Sequence, residues 1–164
     1  MPLNSQPKPL RSQRPMARGA CTCGSLRKAS RRVSQFYDAA LAPVGIKSTQ
    51  FAILAELDHA RLEGRLTMCE LAHAMVMDRS TLGHNLRPLQ RDSLLILRTA
   101  QHDRRKRHVE LTQKGKETLE EARRLWRHAE GRFEKIFGKQ PAAELRSVLL
   151  NIASNEQLNA LPID

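Results

Sequence analysis

The chain has 164 residues, enough for one domain with a real core or one domain with extended arms. Its 28 basic and 17 acidic residues give a formal charge of +11 and a pI near 10.4, which favours a polyanionic partner, nucleic acid before an anionic membrane. No apolar run approaches the ~20 residues of a spanning helix, and three cysteines, Cys21, Cys23 and Cys69, make no disulfide framework.

Residues 1–20 carry Pro2, Pro7, Pro9 and Pro15 among several bases and almost nothing to bury. They read as a disordered basic tail without the apolar core of a signal peptide, so the expected location is the cytoplasm. From Gly24 to Leu41, apolar residues recur at helical spacing (Leu26, Ala29, Val33, Phe36, Ala40), and Pro43 and Gly45 end that helix. A second helix is expected from about Thr49 to Ala60, with Phe51, Leu54, Ala55 and Leu57 facing inward. Thr67 then opens a capping box with Glu70, and Asp78 caps a further helix a few residues on. Two short, separately capped helices joined by a tight turn predict a helix-turn-helix.

After Asp92 the pattern changes. LLILRT is rich in β-formers, and HVELT alternates, with Val109 and Leu111 on one face. The intervening AQHDRRKR makes a hairpin with a basic tip, the mark of a wing. Beyond it, Leu119, Ala122, Trp126, Ala129, Phe133 and Ile136 are spaced 3, 4, 3, 4, 3. This seam predicts a long helical arm that packs against a second copy. Gly138 and Pro141 break the arm, and Leu145, Val148, Leu149 and Ile152 mark a final helix.

In this order and spacing the chain resembles the MarR family of winged helix-turn-helix transcription regulators. The likeness is carried by DRSTLGHNLRPLQRDSLL and by the wing residues Asp103, Arg105, Leu111 and Thr112, followed by Gly115, and covers about residues 21–160. The resemblance implies a mainly α (α+β) fold: a winged helix-turn-helix over 49–112, and a dimerisation region of long N- and C-terminal helices over 21–48 and 113–164. It also implies a double-stranded operator as partner, a homodimer on a pseudo-palindromic site, and repression more often than activation. Five positions depart from the family pattern. Val76 stands where many such turns have glycine, so the turn either avoids the left-handed conformation or is strained. Gly83 and His84 replace a frequent threonine and arginine, and Pro88 removes a hydrogen bond inside the helix and predicts a kink. Ser93 also replaces a common C-terminal glycine.

Candidate DNA-binding residues on the recognition helix are Arg79, Ser80, Thr81, His84, Asn85 and Arg87. Asparagine reads adenine bidentately and arginine reads guanine, at ~1–3 kcal/mol of discrimination per pair, while Ser80 and Thr81 near the helix start suit phosphates. On the wing, the resemblance assigns Arg105 to the minor groove, leaving Arg104, Lys106 and Arg107 for phosphates. The candidate effector is a small aromatic carboxylate or phenol. Arg27, Ser30, Ser34 and Tyr37 form a polar stripe on the first helix, with Gln50 and Phe51 opposite, where the family has its ligand cleft. An alternative is oxidant sensing through Cys21 and Cys23, which lie among Arg18, Arg27 and Lys28. Cys69 reads as a small core residue. A non-specific nucleic-acid-binding protein is a further alternative, with few aromatics to stack bases. No metal-ligand spacing, cofactor motif or catalytic constellation is present, so no enzyme activity is expected.

Overall fold

The computed structural model describes residues 21–61, 65–99 and 107–159, so the expected tail and the wing tip, Asp103 to Lys106 included, lie outside the described residues. In chain order the elements are α1 (Thr22–Leu41), a 3-10 turn (Ala42–Val44), α2 (Ser48–Ala60), α3 (Met68–Ala74) and α4 (Arg79–Arg91). They continue with β1 (Leu95–Thr99), β2 (Arg107–Leu111), α5 (Gln113–Phe137), α6 (Lys139–Ser154) and a 3-10 turn (Glu156–Asn159). The part of α1 up to Val33 belongs to a separate compact unit. It begins with Ser25 and Gly24 amides donating to the Cys21 carbonyl and Sγ, at 2.9 and 3.3 Å.

From Ser34 on, a single core forms. Leu41, Ile53, Leu54, Leu71, Leu82, Leu86, Leu89, Leu95 and Leu119 are almost fully buried. Each such side chain contributes roughly 1.5–3 kcal/mol of apolar transfer free energy. The leucines at 82, 86 and 89 recur at 4 and 3, placing one face of α4 on the core and leaving its other face to solvent. Asp38 near the end of α1 accepts both the Ser48 amide and hydroxyl at 2.6 Å, which fixes where α2 begins, one residue earlier than the sequence suggests.

The expected caps are present. Thr67 Oγ1 accepts from the Glu70 amide at 3.2 Å while Glu70 accepts from the Thr67 amide at 2.7 Å. Asp78 accepts the Thr81 amide at 2.8 Å. Between these caps, Val76 adopts φ +51° and is 69% exposed, which settles the question its β-branched side chain raised: the turn takes the left-handed conformation despite the strain. Ser93 does the same at φ +59°, where α4 hands over to β1. Helix α4 continues through Pro88 to Arg91, with the Asp92 amide closing on the Pro88 carbonyl at 2.9 Å.

Two expectations need correction. Cys69 is exposed, not a core residue, because it sits in the first turn of α3 while Leu71 and Ala72 supply the buried face. The seam on α5 is largely occupied by the chain itself. Leu119 and Ala122 lie in the core and Ala129 is buried, with α2 packed alongside, so the seam is no evidence of a partner. The apolar surface left open lies further on, at Ile136 and Phe137 and along α6 at Leu145, Val148 and Leu150.

Candidate nucleic-acid interface and effector cleft

Helix α4 exposes Arg79 in its first turn, and Ser80, Thr81, His84 and Arg87 away from its leucines, with Asn85 half-buried at the edge. Several of these groups already have partners. The Thr81 hydroxyl donates to Asp78 Oδ2 at 2.6 Å, and the pair holds the Asp78 carboxyl below its ordinary value. Asn85 Nδ2 donates to the Thr81 carbonyl at 2.9 Å, and Arg79 Nη2 donates to Cys69 Sγ at 3.3 Å. Ser80, His84 and Arg87 project outward. Arg91, one turn further, pairs with Asp92 at 3.0 Å.

The wing pairs β1 and β2 antiparallel, Leu95 with Leu111 through Thr99 with Arg107. Val109 points into the core and Arg107 is exposed. The base of the hairpin is fastened at both edges. On one side the Thr112 hydroxyl donates to the Ser93 carbonyl at 2.7 Å while accepting the Gly115 amide at 2.9 Å, so the threonine of the wing signature caps α5. On the other, the Val109 amide donates to the Leu66 carbonyl at 3.0 Å, and Thr67 forms a bridge with His108. The segment before α3 thus adds a short third rung to the sheet and joins the wing to the helix-turn-helix.

A capped helix on a leucine base, its cationic face outward and a hairpin stitched to its frame, is a winged helix-turn-helix. The crystal structure of the M. tuberculosis transcriptional regulator MosR in complex with DNA matches it at 33% identity and a TM-score of 0.74, over 86% of this chain and 99% of that one. The chain belongs to the MarR family. This MarR-family protein is also similar to the repressor CouR bound to a 23-mer DNA duplex, at 28% identity and TM-score 0.73, covering 81% and 92% of the two chains. A MarR-family regulator from Rhodococcus sp. RHA1 shares the fold at 18% identity and TM-score 0.68, over 79% and 91%. No protein-family model and no curated protein matches the chain. The protein is a DNA-binding transcription regulator. Among its described residues no helix is long and apolar enough to cross a membrane.

The candidate effector residues are distributed over several environments. Arg27 and Ser30 are exposed and line a shallow cavity of about 360 Å³ with Leu26 and Arg31. Ser34 is half-buried. The Tyr37 hydroxyl donates to the Glu130 carboxylate, which also pairs with Arg146. Burial and then this bond to Glu130 push the phenol well above its ordinary value, so Tyr37 stays protonated. Gln50 Oε1 accepts the Lys47 amide at 2.8 Å and serves as a cap of α2. Phe51 stacks on Trp126, with centroids 6.0 Å apart and planes at 20°. These two rings, with Ala55, Glu120, Arg123 and Arg127, line a cleft of about 560 Å³ between α2 and α5.

Sequence reading had no means of finding Arg123 and Trp126 as neighbours of Phe51, because the contact spans more than seventy positions. Arg123 Nη2 is held by Asp58 Oδ2 at 2.8 Å, and Arg61 Nε reaches Asp58 Oδ1 at 2.7 Å. Burial works against the Asp58 charge, but the hydrogen bonds and charges of Arg123 and Arg61 outweigh it and hold the carboxyl below its usual range. Both thiols at the start of α1, Cys21 and Cys23, are exposed.

Proposed function

We propose that the protein is a homodimeric repressor that reads a pseudo-palindromic operator and is released by a small aromatic carboxylate or phenol. The observation that carries the DNA reading is α4 itself. Leu82, Leu86 and Leu89 bind it to the core, so Ser80, His84 and Arg87 face outward on a rigid helix suited to the major groove, with Arg79 at its start. Arg104, Lys106 and Arg107 serve phosphates, with Arg105 in the minor groove. Thr81 and Asn85 exchange their intrachain bonds for DNA contacts on binding. The dimer uses α1, α5 and α6. Its support is the apolar surface that Phe137, Leu145, Val148 and Leu150 leave exposed.

For the effector, the cleft of Phe51 and Trp126 supplies apolar walls. Arg127, which has no carboxylate partner among the described residues, supplies the countercharge. CouR, one of the similar structures, is also known bound to p-coumaroyl-CoA. A second reading is oxidant sensing, favoured by the exposure of Cys21 and Cys23 together at one helix start.

In vitro selection from a random duplex library, followed by titration of the selected duplex with benzoate, salicylate and p-coumarate, tests the proposal. A recovered inverted repeat, bound two chains per site and released by an acid in the wild type but not in Arg127→Ala, supports it. Release lost in Arg27→Ala instead moves the effector to the first helix. Release by peroxide alone, abolished by a double Cys21/Cys23 serine variant, establishes the thiol reading in its place.

A further inference from the structure

Glu110 stands on β2, the central strand at the root of the wing. One flank of that strand is β1 and the other is the segment entering α3. The alternation that sends Val109 into the core puts Glu110 on the outer face of the sheet, together with His108 and Arg98. Its carboxylate is reached from both flanks. Arg98 Nε stands 3.2 Å from Oε2 and Arg65 Nη1 stands 3.2 Å from Oε1. Oε1 is buried and has no hydrogen-bond partner among the described residues, and Arg65 meets it as an ion pair. Arg61 and Lys116 add positive charge around the small cavity that Glu110, Arg65 and Val109 line. Both clamped guanidiniums remain largely in solvent, at 62% and 68% side-chain exposure, while the carboxylate between them is 21% exposed.

We infer that Glu110 is a positioning residue for DNA reading: it fixes Arg65 and Arg98 as two phosphate contacts flanking the wing and sets the angle at which the wing meets the duplex. Charge at this place is otherwise indiscriminate. An arginine on a free tether binds phosphate on any sequence, whereas one paired to a carboxylate on the neighbouring strand meets phosphate only when the recognition helix is seated in register. The carboxylate also offsets one of the two positive charges, which weakens attraction to random duplex. Two further bonds support a rigid wing root, the Val109 amide to the Leu66 carbonyl and the 3.2 Å contact between His108 Nδ1 and the Arg65 carbonyl. The segment that carries Arg65 therefore cannot drift from β2 without breaking the rung. This inference rests on the DNA-reading function proposed above.

The test compares wild type, Glu110→Gln, Glu110→Asp and Arg98→Gln on a duplex selected by the wild type and on its scrambled counterpart, across a salt series. For Glu110→Gln the selected-to-scrambled affinity ratio falls about tenfold, mostly because scrambled binding tightens and its salt slope steepens by about one. Glu110→Asp keeps most of the ratio. Arg98→Gln, altered at an exposed side chain, lowers the salt slope on the selected duplex by about one with unchanged thermal stability. Equal weakening of Glu110→Gln on both duplexes, in step with a lost melting temperature, overturns the inference and leaves Glu110 a fold-holding residue. An unchanged ratio overturns it as well. A wild type that selects no shared sequence overturns the DNA-reading function, and this inference with it.

Discussion

Gly115, in the first turn of α5, lies so close to the Leu94 carbonyl that a Cβ there would stand 1.9 Å from the oxygen. Thr112 makes the approach useful, since its hydroxyl spans the Ser93 carbonyl and the Gly115 amide, and its own amide donates to Leu94 at 3.1 Å. The end of the wing and the start of the long helix are thereby locked to the exit of α4. Gly115→Ala forces backbone apart at a buried junction and is expected to cost about 3 kcal/mol or more. Denaturant unfolding checks it, and a loss under ~1 kcal/mol shows that the junction yields.

Val76 is a β-branched residue at φ +51° whose side chain is mostly in water, so it carries backbone strain with little packing in return. Val76→Gly removes strain of roughly 1–3 kcal/mol and adds unfolded-state entropy of roughly 0.5–1 kcal/mol. The expected net is a stabilisation of about 1 kcal/mol, read as a higher denaturation midpoint at constant slope. A destabilised variant means that the valine packs against something in the functional assembly.

Leu82→Ala and Arg87→Ala separate the two faces of α4. The first opens a cavity beneath the helix and costs about 2–5 kcal/mol of stability. The second changes stability by less than ~0.5 kcal/mol and weakens binding to the selected duplex by about 1–3 kcal/mol. Fluorescence anisotropy beside thermal melts distinguishes them. An Arg87→Ala variant that binds DNA like the wild type removes that residue from the interface.

Asp58 makes acid stability measurable. Its carboxyl is held below the ordinary value of 3.8 because Arg123 and Arg61 outweigh burial, so its contribution is present above that value. That contribution is lost as pH falls through the lower value of the folded state. Asp58→Asn is expected to be less stable than wild type at neutral pH, with the gap closing as pH falls below the ordinary carboxylate value and through the lower folded-state one. A gap that stays constant over this range assigns the loss to packing instead of charge.

Val148 is 56% exposed on α6, a position where a polar substitution costs a folded monomer little. Val148→Glu places a charge in the proposed dimer interface. Sedimentation is expected to show a folded monomer with unchanged circular dichroism, and operator binding that is weaker by more than tenfold. A variant that still sediments as a dimer shifts the interface away from α6.

The sequence by itself determined the parts governed by neighbours in the chain. Thr67 with Glu70, Asp78 with Thr81 and the alternation around Val109 act over three or four positions, and the helix-turn-helix and wing they define were legible before any coordinates. Gln50 belongs to the same class, since an N3 glutamine reaching back to Lys47 is a local pattern that was there to be read as a cap. Tertiary structure decided what distant segments do to one another. Only packing shows that Glu130 meets the Tyr37 hydroxyl, that Trp126 stacks on Phe51 and that Leu119, Ala122 and Ala129 of the α5 seam are buried within this chain. Periodicity says which face of a helix is apolar, but not which surface covers it, because any apolar surface satisfies the same hydrophobic demand. The clamp of Glu110 on Arg65 and Arg98 is of this second kind: β pairing brings together charges that the sequence leaves 45 and 12 positions apart.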